Sequence, residues 1–247
     1  MPLLATEGLW KSFGDMHAVH DVGFSVDEKQ LVALVGSNGA GKTTLVNLIT
    51  GLLRPDRGSI HFQGQDVTAL PVYDRIKAGI TRSFQIVNLF DALTTLDNVR
   101  LAIFSREGKV GKAASLAERD RDAREQALGV IDEFGLTPKW DVPAGQLAQG
   151  ERKLLDVAVA YALGPRLILL DEPTSGVGTR EKGQIMDRIE AVVRSRGLSA
   201  VIVEHDMDVV FKYSDRMVVM HEGQVLAEGV PDQIVRDERI ADMLGRR

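Results

Sequence analysis

The stretch Gly36-Ser37-Asn38-Gly39-Ala40-Gly41-Lys42-Thr43 matches the pattern G-x-x-x-x-G-K-[ST] at every defined position. It follows the apolar run Leu31–Val35, which is typical of a buried parallel strand. It precedes residues 42–53, where leucines recur at helical spacing. Glycines let a backbone wrap closely around an anion, and a helix N-terminus favours negative charge. A strand, a glycine-rich loop and a helix in this order predict a phosphate-binding loop.

The residue types of this loop suit the phosphates of a nucleotide. Lys42 would neutralise charge on the β- and γ-phosphates, and the Thr43 hydroxyl would ligate Mg²⁺. The alternative for this pattern is an unrelated glycine turn. The residues expected to contact the nucleotide are Gly36, Ser37, Asn38, Gly39, Ala40, Gly41, Lys42, Thr43 and Thr44.

A second motif carries two carboxylates. The apolar run Leu167–Leu170 predicts a buried strand that ends in Asp171 and Glu172. We expect Asp171 to hold Mg²⁺, mostly through water, and Glu172 to act as general base toward the attacking water. The alternative for this pair is an N-cap of the next segment. Together the two motifs predict a nucleoside triphosphatase with a phosphate-binding loop.

The remaining pattern predicts an α/β fold. Strands and helices alternate after residue 150, which implies a mainly parallel sheet covered on both faces. The middle of the chain is rich in charged residues and alanine, and residues 116–134 are predicted to form an amphipathic helix. The expected strands are Met16–Val26, Leu31–Val35, Ser59–Phe62, Leu167–Leu170, Ala200–Val203, Met217–Met220 and Val225–Ala227, with helices over 42–53, 150–163 and 180–196 and a hairpin turn at His221–Gln224.

Composition narrows the classes of function. The net charge of −5 argues against a dedicated nucleic-acid binder, and the absence of cysteine excludes disulfides and thiolate metal sites. We expect no secretory signal at the N-terminus. The longest apolar runs fall far below the roughly 18–20 residues of a membrane helix. Any role in a membrane process is therefore expected at its cytoplasmic surface, through a partner.

Four further features decide the kind of nucleotide hydrolase. Leu147-Ala148-Gln149-Gly150-Glu151 opens a helix, Gln85 follows a short strand, His205 follows the strand ending at Val203, and Phe13 precedes the glycine loop. Taken singly, Phe13 suits a core aromatic and His205 a structural histidine. Together and in this order, these motifs resemble the ABC transporter ATPase family over nearly the whole chain.

The resemblance implies an architecture. It implies a single domain over 1–247: a P-loop core with a mainly parallel sheet, an antiparallel β subdomain and a helical insert at about 89–165 that carries the signature motif, Leu147–Glu151. The charged part of the insert would be either a solvated helix face or a surface that contacts the membrane subunits.

The resemblance also implies residue roles. Phe13 would stack on adenine, and Gln85 would bridge Mg²⁺, the attacking water and the membrane subunit. His205 would contact the γ-phosphate and act in catalysis with Glu172 and Gln85. The γ-phosphate held by a second ATPase subunit would be faced by the signature residues Leu147, Ala148, Gln149, Gly150 and Glu151. Thr43, Gln85 and Asp171 would hold Mg²⁺.

Within the family, Ile80–Gln85 and Val203–Val210 are similar to the ATPases of branched-chain amino acid importers. This implies two transmembrane permease subunits, a second ATPase subunit, a periplasmic solute-binding protein engaged indirectly, no nucleic acid, and a peripheral location on the cytoplasmic face of the inner membrane. Urea, amide and aromatic-acid importers share the pattern. A lipopolysaccharide-type exporter is the alternative within transport.

Two other classes with these motifs are disfavoured. DNA-maintenance ATPases separate the glycine loop from the signature with long coiled coils, and no heptad run lies between Lys42 and Gly150. Translation-associated members carry two cassettes, whereas this sequence has one.

Two positions depart from the family pattern. Ala148 replaces the usual signature serine, and Gly178 replaces the usual aspartate in Ser175-Gly176-Val177-Gly178. Both lie on the surface expected to face the partner's nucleotide. The partner's nucleotide would lie in a composite site, formed by the partner's glycine loop and the signature of this chain. Losing one hydrogen bond to a charged group costs about 1.5–3 kcal/mol, which would slow hydrolysis in that composite site without abolishing it.

Overall fold

The computed structural model describes residues 1–83, 89–109 and 120–244, except for the side chain of Glu238. The chain forms two compact units, Met1–Ala78 with Gly197–Arg247 (unit 1) and Gly79–Arg196 (unit 2). The strands in the described ranges are β1 Leu4–Phe13, β2 Met16–Val26, β3 Leu31–Val35, β4 Arg57–Phe62, β5 Gln65–Asp66, β6 Ile80–Ser83, β7 Leu167–Asp171, β8 Ser199–Val203, β9 Arg216–His221 and β10 Gln224–Gly229. The α-helices in the same ranges are α1 Lys42–Thr50, α2 Val72–Ala78, α3 Thr95–Arg106, α4 Arg121–Glu133, α5 Gln149–Ala162, α6 Thr179–Ser195, α7 Met207–Tyr213, α8 Pro231–Ile234 and α9 Glu238–Met243.

Unit 1 combines two kinds of sheet. Strands β2, β1, β4 and β5 form an antiparallel sheet in that order. Strand β3 pairs in parallel with β8 on one side and β9 on the other, and β10 adds antiparallel to β9. Every residue of β3 and β8 is buried, as expected for central parallel strands. The α/β class and the antiparallel β subdomain are thereby confirmed.

The helix after the glycine loop is shorter than the leucine spacing predicts. α1 ends at Thr50 because Gly51 takes a left-handed conformation, with φ of 81°. The buried guanidinium of Arg75 donates to the carbonyls of Leu48 and Ile49, the latter at 2.7 Å. Burial lowers the pKa of Arg75 to about 10, so the guanidinium stays protonated at neutral pH. The predicted extension to Leu53 is wrong.

The hairpin predicted from His221–Gln224 is confirmed. Glu222 and Gly223 connect β9 to β10, with φ of 46° and 78°. Two successive residues with positive φ are the requirement of a two-residue type I′ turn, whose twist matches that of the flanking strands.

Unit 2 contains the parallel pair β6 and β7 together with helices α3 to α6. α4 begins later than predicted: Asp120 caps it, accepting from the Ala123 N–H at 3.0 Å. The Ala123 N–H and the Lys109 ammonium hold the pKa of the Asp120 carboxyl below its usual value. Residues 116–119 of the predicted helix lie outside the described residues. The predicted insert at about 89–165 falls within the limits of unit 2.

Across the described ranges, none of the helices combines the length and apolar character needed to span a bilayer.

Candidate functional site

The glycine loop in unit 1 has a backbone that only glycine permits at two points. Gly36 directly follows β3 and has φ of 149°. A Cβ at this position would lie 2.2 Å from the Met220 carbonyl oxygen. Gly41 precedes α1 with φ of 99°, and a Cβ there would lie 2.3 Å from the Ala18 carbonyl oxygen. The loop therefore packs closely against the rest of unit 1 at both glycines, and it leads into the N-terminus of α1.

Lys42 places its ammonium group inside this loop. The side chain is buried, and Nζ donates to the carbonyls of Gly36 at 2.8 Å and Ser37 at 3.0 Å. The next residue, Thr43, is exposed at the start of α1. A positive charge held by loop carbonyls, a helix N-terminus and an exposed hydroxyl together form a site suited to a polyphosphate.

His205 lies beside the same loop. It follows β8 and is exposed, while the preceding Glu204 is buried. His205 and Glu204 line a cavity of about 190 Å³ together with Gly36 and Ser37. Met243 and Leu244, at the end of α9, also line this cavity. The tertiary structure thus brings the predicted γ-phosphate histidine to the start of the glycine loop.

Phe13 ends β1 on the antiparallel sheet, with 46% of its surface exposed. Lys11 Nζ lies 5.8 Å from the centre of the ring. The ring is therefore not a core aromatic, and its face is available for stacking on a planar base.

In unit 2, Asp171 ends the fully buried strand β7 and is itself buried. Its Oδ2 accepts from Arg82 Nη2 at 2.5 Å. Arg82 lies on the neighbouring strand β6, opposite Leu169 in the parallel register. A carboxylate in this setting offers the hard oxygen ligand that Mg²⁺ prefers, and Arg82 balances its charge.

Glu172 has an unusual backbone for a non-glycine residue. Its φ is 48°, in the left-handed region, which costs of order 1–3 kcal/mol and persists only where the surroundings hold it. The side chain is half-buried. Ser175 N–H donates to the Glu172 carbonyl at 3.0 Å and closes a turn after the strand. Such strained positions concentrate at functional sites.

The predicted signature occupies the start of α5. Leu147 is buried, whereas Ala148 and Gln149 are exposed. Ala148 is the N-cap residue, and because its side chain lacks an acceptor it cannot satisfy an N–H of the first turn. The Glu151 carboxylate accepts from the Ala148 N–H at 2.9 Å. One of the two hydrogen bonds of a capping box is therefore present, and the other cannot form because the alanine side chain has no acceptor.

The glycine of the signature permits a close contact with α6. A Cβ on Gly150 would lie 2.2 Å from Glu181 Oε1. α6 begins after Gly178, which is also an N-cap residue without a side-chain acceptor. Both departures from the family pattern, Ala148 and Gly178, thus fall at the N-cap of a helix.

The predicted site residues fall into two groups. Unit 1 holds Phe13, residues 36–44 and His205, and the loop and the histidine line one cavity. Unit 2 holds Asp171, Glu172 and the signature. Gln85 lies in 84–88, outside the described residues.

Two residues of unit 2 were not singled out from the sequence. Arg82 neutralises Asp171, and its signal was a cation within the short strand before Gln85. Lys153 is buried on α5, one helical turn after Gln149, and it contacts the turn that begins at Glu172. Its signal was a basic residue on the face that Gln149 shares.

Comparison with known proteins gives one family. The model of the ABC transporter family matches residues 19–175. The high-affinity branched-chain amino acid transport ATP-binding protein BraF of Pseudomonas aeruginosa is 34% identical, over 94% of this chain and 93% of BraF. The corresponding LivG protein of Escherichia coli is 32% identical, over 94% of this chain and 93% of LivG. The lipopolysaccharide export system ATP-binding protein LptB of Haemophilus influenzae is 33% identical, over 97% and 95%.

Solved structures agree with the fold. An ATP-binding cassette of an ABC transporter in its ADP conformation has a TM-score of 0.86 and 30% identity, covering 98% of both chains. A nucleotide-free cassette from an ABC transporter has a TM-score of 0.86 and 29% identity, again covering 98% of both chains.

Proposed function

Because the chain belongs to the ABC transporter family, we propose that it is the ATP-binding and ATP-hydrolysing subunit of an importer for branched-chain or other hydrophobic amino acids. The observation that carries the substrate class is the similarity to BraF and LivG over 94% of the chain. The glycine loop and the acidic strand end supply the chemistry that such a subunit needs.

In unit 1, the nucleotide would be held by groups that are already oriented. The N-terminus of α1 supplies backbone N–H groups that phosphate oxygens can accept from, and Lys42 can turn from the carbonyls of Gly36 and Ser37 to a phosphate. Phe13 offers an exposed ring face to adenine.

The oxygen ligands proposed for Mg²⁺ fit that ion. Thr43 supplies an exposed hydroxyl and Asp171 a buried carboxylate, with Gln85 as a third ligand. When bound, Mg²⁺ neutralises charge on the β- and γ-phosphates. The Arg82 guanidinium pairs with the Asp171 carboxylate and holds it in place while no cation is near it.

Glu172 would act as the general base, and His205 would stabilise the negative charge on the γ-phosphate. The Glu172 carboxylate accepts a proton from the attacking water as its oxygen bonds to the γ-phosphorus, while the bond from that phosphorus to the bridging oxygen breaks and ADP leaves. His205, in the cavity shared with the glycine loop, donates a hydrogen bond to the γ-phosphate and stabilises its developing charge. Gln85 orients the attacking water.

The signature would act on the nucleotide of a second ATPase subunit. The exposed start of α5 presents backbone N–H groups that a γ-phosphate can accept from. This requires two ATPase subunits to associate when ATP is bound and to separate after hydrolysis. Two permease subunits would convert that cycle into transport, with the chain peripheral to the membrane and a periplasmic solute-binding protein delivering cargo to them.

Reconstitution tests the proposal. The chain, carrying a polyhistidine tag, is co-expressed with its membrane subunits. The complex is purified in mild detergent and placed in proteoliposomes. We expect uptake of radiolabelled leucine to require both ATP and a leucine-binding protein, and to stop with Glu172→Gln. Uptake that continues without ATP, or a complex that hydrolyses ATP but moves no hydrophobic amino acid, contradicts the proposed import.

Lipopolysaccharide export is the second candidate, because LptB is 33% identical over 97% of this chain. The same purified complex discriminates between the two. ATPase activity stimulated by lipopolysaccharide, and unaffected by any amino acid with its binding protein, favours export.

A further inference from the structure

Lys153 is a buried lysine in the helix that carries the signature. Its side chain is 3% exposed. Nζ donates to the Glu172 carbonyl at 3.3 Å and to Ser175 Oγ at 3.0 Å. An ammonium group loses hydration when it is buried, and hydrogen bonds to such a group are the stronger kind. The contacts with this turn therefore help to hold Lys153 in place.

The turn that Lys153 contacts is the one that orients the proposed general base. The Glu172 carbonyl accepts from the Ser175 N–H at 3.0 Å as well as from Lys153. Glu172 has φ of 48° and Gly176 has φ of 79°. A strained residue keeps its conformation only where neighbouring contacts fix it. Lys153 supplies such a contact at both ends of the Glu172–Ser175 turn.

A second contact links the same helix face to the same segment. Gln149 precedes Lys153 by one turn of α5, so both side chains lie on one face. Gln149 Nε2 would lie 3.7 Å from a Cβ on Gly176. The exposed signature residue Gln149 and the buried Lys153 therefore both abut residues 172–176.

From this geometry we infer that Lys153 is a positioning residue that couples the signature helix to the general base of its own subunit. The inference rests on the proposed ATPase function. When the start of α5 engages the partner's nucleotide, a shift of α5 moves the Lys153 ammonium and, through it, the backbone of Glu172. Hydrolysis at one composite site is thereby linked to signature engagement at the other.

Substitutions in the purified full chain test the inference. Lys153→Met keeps the length of the side chain and removes the charge and the donors, and should lower kcat roughly tenfold or more. ATP affinity, which depends on the glycine loop, should stay within about twofold. Lys153→Arg should restore most of kcat, because a guanidinium also donates to both acceptors.

Ser175→Ala removes one acceptor with little structural change, and should lower kcat less than Lys153→Met does. Because both changes remove the same hydrogen bond, from Lys153 Nζ to Ser175 Oγ, the double variant should be no slower than Lys153→Met alone. Lys109→Met is the matched control: the same chemical change at an exposed lysine of unit 2 should leave kcat unchanged.

Wild-type ATP hydrolysis is measured first, and its absence would contradict the proposed function. If the wild type is active, unchanged kcat in Lys153→Met overturns the inference alone. Equal losses of ATP affinity and kcat, or additive effects of Lys153→Met and Ser175→Ala, would assign Lys153 a general structural role and also overturn it. If Lys153→Met does not fold, as judged by circular dichroism, Ser175→Ala decides: full wild-type kcat overturns the inference, and reduced kcat with unchanged affinity supports it.

Discussion

Arg82 and Asp171 form a buried ion pair between neighbouring parallel strands, with 2.5 Å between Nη2 and Oδ2. Removing one partner of such a pair leaves the other charge buried and uncompensated. We predict that Arg82→Met lowers the free energy of unfolding by about 3–5 kcal/mol. Urea denaturation followed by circular dichroism measures it. Arg239→Met, which breaks the exposed pair with Asp237, is the control and should leave stability essentially unchanged. A loss no larger than that of the control would mean that the Asp171 charge is balanced by other groups.

Lys42→Ala should nearly abolish ATP binding, because the ammonium group held by the carbonyls of Gly36 and Ser37 would be lost. Phe13→Ala should weaken binding by only about 1 kcal/mol, the scale of one aromatic stacking contact. Equilibrium titration with a fluorescent ATP analogue measures both. Unchanged affinity in Lys42→Ala would refute the assignment of the phosphate-binding loop.

Glu172→Gln should retain ATP affinity and lose hydrolysis, since the amide has the shape of the carboxylate but cannot accept the proton. With ATP and Mg²⁺ present, the closed dimer should then accumulate. Phosphate release and gel filtration with light scattering follow the two effects. Continued hydrolysis by a species that stays monomeric would be incompatible with the general-base role.

Ala148→Ser should act in two ways. As the N-cap of α5, serine can accept from an N–H of the first turn, which stabilises a protein by about 0.5–2 kcal/mol. Its hydroxyl can also donate to the partner's γ-phosphate, so kcat should rise several-fold, more than ATP affinity changes. Ala148→Gly separates the effects, because glycine is a tolerable N-cap with no hydroxyl. Steady-state ATPase assays, with and without the cognate partner subunit, should show the gain in kcat for serine alone. An unchanged or lower kcat would show that the hydroxyl is dispensable in this chain.

Gly178→Asp should stabilise unit 2. Gly178 has φ of −67°, and a Cβ there would meet no atom of the described residues within 4 Å. Aspartate can cap α6, favours its N-terminal dipole and restricts the unfolded chain, for a gain of about 0.5–1 kcal/mol. Thermal unfolding compares it with Gly178→Ala, which restricts the unfolded chain without capping. A lower melting temperature than that of Gly178→Ala would contradict the capping interpretation.

Most of the elements that were predicted correctly follow from short stretches of the sequence. The spacing from Gly36 to Thr43 dictates a loop whose backbone needs glycine, and the structure has that loop between β3 and α1. The glycine turn between β9 and β10 and the strand that ends at Asp171 follow from short windows in the same way. Boundaries were less predictable, because α1 ends where the Gly51 backbone and the distant Arg75 side chain stop it.

The sequence by itself thus determined the α/β class, the phosphate-binding loop, the acidic strand end and the helix that carries the signature, since each depends on residues close together in the chain. Only the tertiary structure decided that Arg82 neutralises Asp171, that His205 shares a cavity with the glycine loop, and that Lys153 holds the turn at Glu172. These contacts join residues that are distant in sequence. They depend on strand register and on which face of a helix is buried, and neither can be read from spacing alone.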